Sequence, residues 1–112
     1  MISVETINDT TKIRGTSLSG YLNVSYETLV ELLGEPNAPV DGYKTDAEWH
    51  VKINPKGEPV TYATIYNYKD GKNYLGANGL NVEHIKDWHV GSKSKWAFYN
   101  LEDYVESHQN VQ

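Results

Sequence analysis

A chain of 112 residues with no cysteine, a net charge of −5 and a single arginine, Arg14, fits one domain with its own core. These figures exclude a disulfide scaffold, thiolate chemistry and Cys-ligated metal, and they argue against extended nucleic-acid binding, which needs clustered Lys and Arg. No apolar run approaches the about 18 residues of a membrane span and no basic–apolar leader opens the chain, so no membrane role is expected and the expected setting is cytoplasmic.

The arm "MISVETIND" places Ile2 and Val4 at period two, the pattern of a short strand. "TKIRGTSLSGYLNV" is β-prone but interrupted by Gly15 and Gly20, which predicts a bulged or bent strand. "SYETLVELLGEP" carries the clearest local signal. Ser25 caps, Glu27 favours the first turn, Leu29, Val30, Leu32 and Leu33 form the apolar stripe, and Gly34 and Pro36 stop a helix over 26–33.

"AEWHVKI" alternates strictly, with Trp49, Val51 and Ile53 opposite Glu48, His50 and Lys52, so 47–53 reads as a strand. The turn "NPKGEP" at 54–59 joins it to a second strand over 60–68. That strand sets Tyr62, Thr64, Tyr66 and Tyr68 against Thr61, Ala63, Ile65 and Asn67. A third strand over 82–90 is less regular. Trp88 and Val90 share a face while Ile85 has the opposite phase, which predicts a bulge. A final helix over 94–107 stripes Ala97, Phe98, Leu101, Tyr104 and Val105, and the tail 108–112 is expected to fray.

The expected architecture is a single α+β domain over 1–112. An antiparallel sheet, a three-stranded meander plus one or two N-terminal strands, carries two helices on one face. Core residues on the helix side are Trp49, Val51, Ala63, Ile65, Trp88 and Val90. The tyrosines Tyr62, Tyr66 and Tyr68 then fall on the far side with Glu48, His50 and His89. Antiparallel order also sends the long loops 35–46 and 69–81 to one end of the sheet, and the 54–59 turn and 91–95 junction to the other.

The two long loops concentrate the candidate site: Tyr43, Lys44 and Asp46 in one, and Tyr66, Tyr68, Lys69, Lys72, Asn73 and Tyr74 around the other. Interleaved Tyr and Lys suit stacking on a base and gripping a phosphate, and equally suit a protein interface. Ordinary turns at Asp41-Gly42 and Asp70-Gly71 are the plain alternative. At the other end, Ser92, Lys93, Ser94 and Lys95 open a helix, where backbone N–H groups attract anions, although a Gly91 turn with a serine cap explains the same letters. His50 and His89 stand about 10 Å apart across a strand and no H-x-x-x-H spacing exists, so no metal site is expected. No Ser–His–Asp order or nucleophile elbow is visible, and Asp87 and His89 are simply i,i+2 on one strand face, so neither catalysis nor a cofactor is expected.

The segments "YETLVELLGEP", "DGYKTDAEW", "ATIYNYKDGKNY" and "EHIKDWHVG" together resemble a group of small bacteriophage proteins over about residues 20–95. The resemblance implies a phage source acting in the host cytoplasm and carries no established activity. The helix–LGEP–loop–Trp strand–hairpin order also looks like the BamE/SmpA and β-lactamase-inhibitor-protein architecture, whose members bind without catalysis, although the lipoprotein cysteine has no counterpart here. The expected function is therefore a non-enzymatic binding protein. It would capture or inhibit a host component, either a host-defence protein or a small anionic nucleotide signal. The alternatives are a small nucleotide-directed enzyme and a virion or assembly protein that forms a homo-oligomer.

Overall fold

The computed structural model describes residues 2–111, with side chains up to residue 108. In chain order the elements are β1 (Ile2–Thr6), β2 (Ser17–Asn23), α1 (Tyr26–Leu33), β3 (Glu48–Pro55), β4 (Thr61–Tyr66), α2 (Lys72–Leu75), β5 (Asp87–Ser92) and α3 (Lys95–Val111). One five-stranded sheet runs β1-β3-β4-β5-β2, with every neighbouring pair antiparallel. The fold is α+β. The β3–β4–β5 meander fills the middle and the two N-terminal strands take opposite edges.

Side-chain alternation on the sheet follows from the period of two and the pairing register. On one face Trp49, Ile65, Val90 and Gly20 form a row across four strands, with Val51 beside Ala63 and Leu22 beside Trp88. These side chains are buried beneath α1 and α3, with Ala97, Phe98, Leu101 and Val105 of α3 completing the core. A Cβ on Gly20 would stand 2.5 Å from the Phe98 ring, so the absence of a side chain there is what lets α3 settle on the sheet.

Two indoles fix α1 to that sheet. Trp88 Nε1 donates to the Val24 carbonyl just before the helix (3.0 Å), and Trp49 Nε1 donates to the Gly34 carbonyl just after it (2.9 Å). The rings meet edge to face at 5.3 Å, with Tyr26 lying against both. Ser25 Oγ accepts from Thr28 N (3.1 Å) as the N-cap, and the helix spans the expected residues.

The opposite face carries Glu48, Tyr66, His89 and Tyr21 in one row, then His50, Thr64, Gly91 and Leu18 in the next. Residues 7–16 cross this face from the β1 edge to the β2 edge. Lys12 Nζ lies 5.7 Å from the Tyr62 ring, and Thr16 Oγ1 sits 3.6 Å from where a Gly91 Cβ would be. His50 and Thr64 on this face are buried, and Tyr62 and Tyr66, on the far side as expected, are only half exposed, Tyr62 beside Lys12 of the strap and Tyr66 against His89. At the foot of β1 the Asn37 amide is wedged between strands. It accepts from His50 N (3.1 Å) and donates to the Ile7 carbonyl (2.6 Å), ending the β1–β3 ladder.

Several details differ from the expectations. The third strand begins at Asp87, because 82–84 form a 3-10 turn; Ile85 is buried by that turn and not by a bulge. The bulge lies instead in β2, between Leu18 and Gly20. Gly91 makes no turn but lies inside β5, where a Cβ would come within 2.7 Å of Thr64 Oγ1. The loop after β4 contains α2 and a further 3-10 turn at 76–78. The last helix starts at Lys95 and continues to Val111, past the expected end at 107; the expected fraying of the final residue, 112, lies outside the described residues.

Candidate functional site

Both long loops emerge at the end of the sheet where β3 begins and β4 ends, as the antiparallel order requires. They are locked together by a buried amide. Asn67 is fully buried (0% exposed). Its Oδ1 accepts from Asp46 N (2.7 Å) and Ala47 N (3.0 Å), while Nδ2 donates to Asp46 Oδ1 (2.9 Å) and Asp70 Oδ1 (3.0 Å). The other Asp46 oxygen accepts from Asn73 N (3.1 Å), and Asn73 Nδ2 donates to the Thr45 carbonyl (2.9 Å). Lys69 N donates to the Lys44 carbonyl (2.8 Å), and Gly71 packs so close to the Asp46 carboxylate that a Cβ would overlap it. Asp41 closes the first loop by accepting from the N–H groups of Tyr43 and Lys44 (both 2.8 Å) and Thr45 (3.1 Å). Those hydrogen bonds, led by Tyr43, hold its carboxyl below the usual range.

On this frame stand the aromatic and basic side chains. Tyr43 and Tyr74 rings lie 5.1 Å apart, with Lys44 Nζ 6.0 Å from Tyr43. Lys69 Nζ sits 5.2 Å from the Tyr68 ring and 5.5 Å from Tyr74, a cation shared by two aromatic faces. Lys69 also has φ +61°, the sole non-glycine in the left-handed region among the described residues. For an L-residue that conformation costs roughly 1–2 kcal/mol, so the surrounding hydrogen bonds are holding the lysine in place against its own backbone preference.

Tyr68 links this cluster to the sheet. Tyr66, Tyr68 and Tyr21 surround His89, at centroid distances of 5.4, 5.5 and 4.9 Å. The result is a continuous surface running Tyr43, Tyr74, Lys69, Tyr68, His89, Tyr21, with Tyr43 56% and Tyr68 39% exposed. Beneath it the two loops pack directly on each other. Burial pushes the Tyr66 hydroxyl pKa up, with the nearby Glu48 carboxylate adding to the effect.

Of the residues singled out from sequence, Tyr43, Lys44, Tyr66, Tyr68, Lys69 and Tyr74 are brought into this surface. Asp46 and Asn73 belong to the frame beneath it. Lys72 is exposed at the start of α2 and, among the described residues, has no cation–π contact with the rings. Sequence reasoning missed Tyr21, which arrives from the far edge strand, and Asn67. The signal for Asn67 was present: it has the phase of Ala63 and Ile65, and an amide at a core phase requires buried partners.

The junction at the other end is occupied by internal bonds. Ser92 Oγ donates to the Ser94 carbonyl (2.7 Å) and accepts from Ser19 Oγ (2.8 Å), and Lys95 Nζ donates to the Ser19 carbonyl. Ser94 Oγ accepts from Ala97 N (3.4 Å), the cap of α3, and the Lys93 chain lies 3.8 Å from where a Gly15 Cβ would be. Ser92, Ser94 and Lys95 thus tie β2, β5 and α3 together. Among the described residues no group of three His, Asp or Glu side chains is placed to hold a metal ion.

His89 gives the face a pH response. Burial holds its imidazole below the ordinary value of 6.5, against the opposing pull of Asp70 and Asp87, and its Nδ1 is buried with no hydrogen-bond partner among the described residues. The fold therefore keeps the neutral ring. As pH falls through 6.5 the unfolded chain takes up the proton first, so stability is expected to be complete above that value and to decline below it, toward the folded pKa. Urea midpoints of wild type and His89→Gln between pH 7.5 and 5 check this. The difference between the two proteins should change with pH over that window; parallel curves would contradict the assignment.

No protein family matches the chain, and no curated protein or solved structure is significantly similar to it.

Proposed function

We propose that this protein is a non-enzymatic binding module of phage type, whose Tyr/Lys face at the two-loop end captures a host protein. The observation that carries this reading is Lys69, held in a strained conformation between the Tyr68 and Tyr74 rings by a buried hydrogen-bond frame. Strain held by a rigid frame is expected of a surface shaped for contact. Exposed tyrosines, with few rotatable bonds, supply the kind of anchor that dominates protein interfaces. A nucleotide signal is the second reading, favoured by the ammonium between two aromatic faces, which suits a planar anionic ligand.

Immobilised protein exposed to host lysate, with both retained proteins and retained nucleotides identified by mass spectrometry, tests and separates the two. The Tyr43→Ala/Lys69→Ala/Tyr74→Ala variant should lose the partner. Lys69→Gly should also lose it, yet gain about 0.5–1 kcal/mol of stability because glycine adopts the left-handed conformation freely. A partner kept equally by wild type and both variants, or nothing retained by wild type, would sink the proposal.

A further inference from the structure

The two edges of the sheet are built differently. On β2 the edge is disturbed by the bulge between Leu18 and Gly20, and the Lys95 ammonium occupies the Ser19 carbonyl. Bulges and lysines are the devices that keep foreign strands off an edge. β1 has no bulge, no Pro and no Lys, and pairs with β3 in unbroken register from Ile2 to Thr6. Ile7 N donates to the His50 carbonyl, which fixes the alternation. Ser3 and Glu5 therefore bond to β3, while the N–H and C=O groups of Ile2, Val4 and Thr6 point outward. None of these outward groups has a hydrogen-bond partner among the described residues.

Along this edge, between β1 and the second half of α3, lies a groove of about 760 Å³. Ile2, Val4 and Tyr104 give it apolar walls, and Asp103 and Glu106 stand exposed on its rim. Glu5 is exposed on the opposite face of the same strand, where Lys52 Nζ stands 3.9 Å from its carboxylate. A strand added to β1 would lie about 4.8 Å further out, with one row of side chains over the groove and the other beside Glu5. We infer that the β1 edge takes an extended segment of another protein, bearing Lys or Arg among apolar residues, as a sixth strand. Charge decides the occupant. A second copy would bring a chain of net charge −5 and the same acidic rim against this one, whereas basic side chains over the groove meet the carboxylates of Asp103 and Glu106. This surface is separate from the Tyr/Lys face, and the inference holds whether or not that face binds a host protein.

The probe is a short end-blocked peptide alternating Lys and Val, with a Glu-for-Lys counterpart as control. Titrated into the isotope-labelled protein, the Lys peptide should shift the amide resonances of Ile2–Thr6, and the Glu peptide should leave them in place. Thr6→Pro removes one outward N–H without breaking a bond to β3, and should weaken binding about tenfold or more. Asp103→Lys/Glu106→Lys changes only exposed side chains and should do the same with the melting temperature preserved. The Tyr43/Lys69/Tyr74 triple variant should bind the peptide as wild type does. Equal binding of the two peptides, unmoved Ile2–Thr6 resonances, or unchanged affinity of the charge-reversed variant would overturn the inference. A peptide-free dimer abolished by Thr6→Pro would overturn it too, by giving the edge to a second copy.

Discussion

Replacing Trp88 with alanine should lower the unfolding free energy by roughly 3–5 kcal/mol, read from urea or thermal unfolding followed by circular dichroism. The ring is completely buried, and its removal opens a cavity between the sheet and α1. It also leaves the Val24 carbonyl, buried at the entrance to α1, without its donor. Trp88→Phe separates these contributions. Most of the packing volume returns, and the remaining deficit, about 1–3 kcal/mol, reports the unpaired carbonyl. Domains of this size have only about 5–15 kcal/mol to lose, so the alanine variant should be close to unfolding under mild conditions. A loss below about 1 kcal/mol for Trp88→Ala would mean that the indole does not anchor α1.

Asn67→Ala should cost about 2–3 kcal/mol and, more tellingly, uncouple the two long loops. Its amide serves two backbone donors and two carboxylates in one buried place. Without it the N–H groups of Asp46 and Ala47 and the carboxylates of Asp46 and Asp70 lose that partner together. Amide exchange should accelerate in 41–46 and 69–74 more than in β3 and β4, and the binding proposed for the Tyr/Lys face should weaken with it. Asn67→Asp should be worse at neutral pH, since a new carboxylate would face those of Asp46 and Asp70. Like-charge neighbours raise its pKa, so its deficit relative to wild type should shrink as the solution is acidified. Uniform exchange rates across the sheet and loops would show that Asn67 acts on global stability alone.

The elements that could be read from sequence are those with a local cause. α1 carries its own cap, stripe and stop, so its bounds follow from neighbouring residues; β3 and β4 carry strict alternation, which gives their core-facing rows, although β3 runs on to Pro55 into the expected turn and β4 ends at Tyr66 instead of 68. The separation of the long loops from the α3 junction also followed, because antiparallel order alone dictates it. Ile85 misled because a 3-10 turn and a bulge both shift phase by one residue, and nothing local tells them apart. Gly91 resembled a turn because the contact that requires glycine there, with Thr64 Oγ1 on the neighbouring strand, comes from a residue 27 positions away. The candidate surface was half visible. Its loop residues are adjacent in sequence, but Tyr21 joins through β2 pairing with β5, a contact between residues 68 positions apart (Tyr21 and His89) that no local pattern encodes.

The strap across residues 7–16 sets an order of assembly. Both edge strands come from the first 23 residues, yet neither touches the other, and each needs a strand made much later in the chain. β1 has nothing to pair with until β3 exists, and β2 nothing until β5 exists. During synthesis β1 therefore stays unpaired until β3 is made and β2 until β5 is made, so the strap between them has both of its ends anchored only once β5 exists. Non-local closure of this kind belongs to the slower, millisecond-to-second regime of folding.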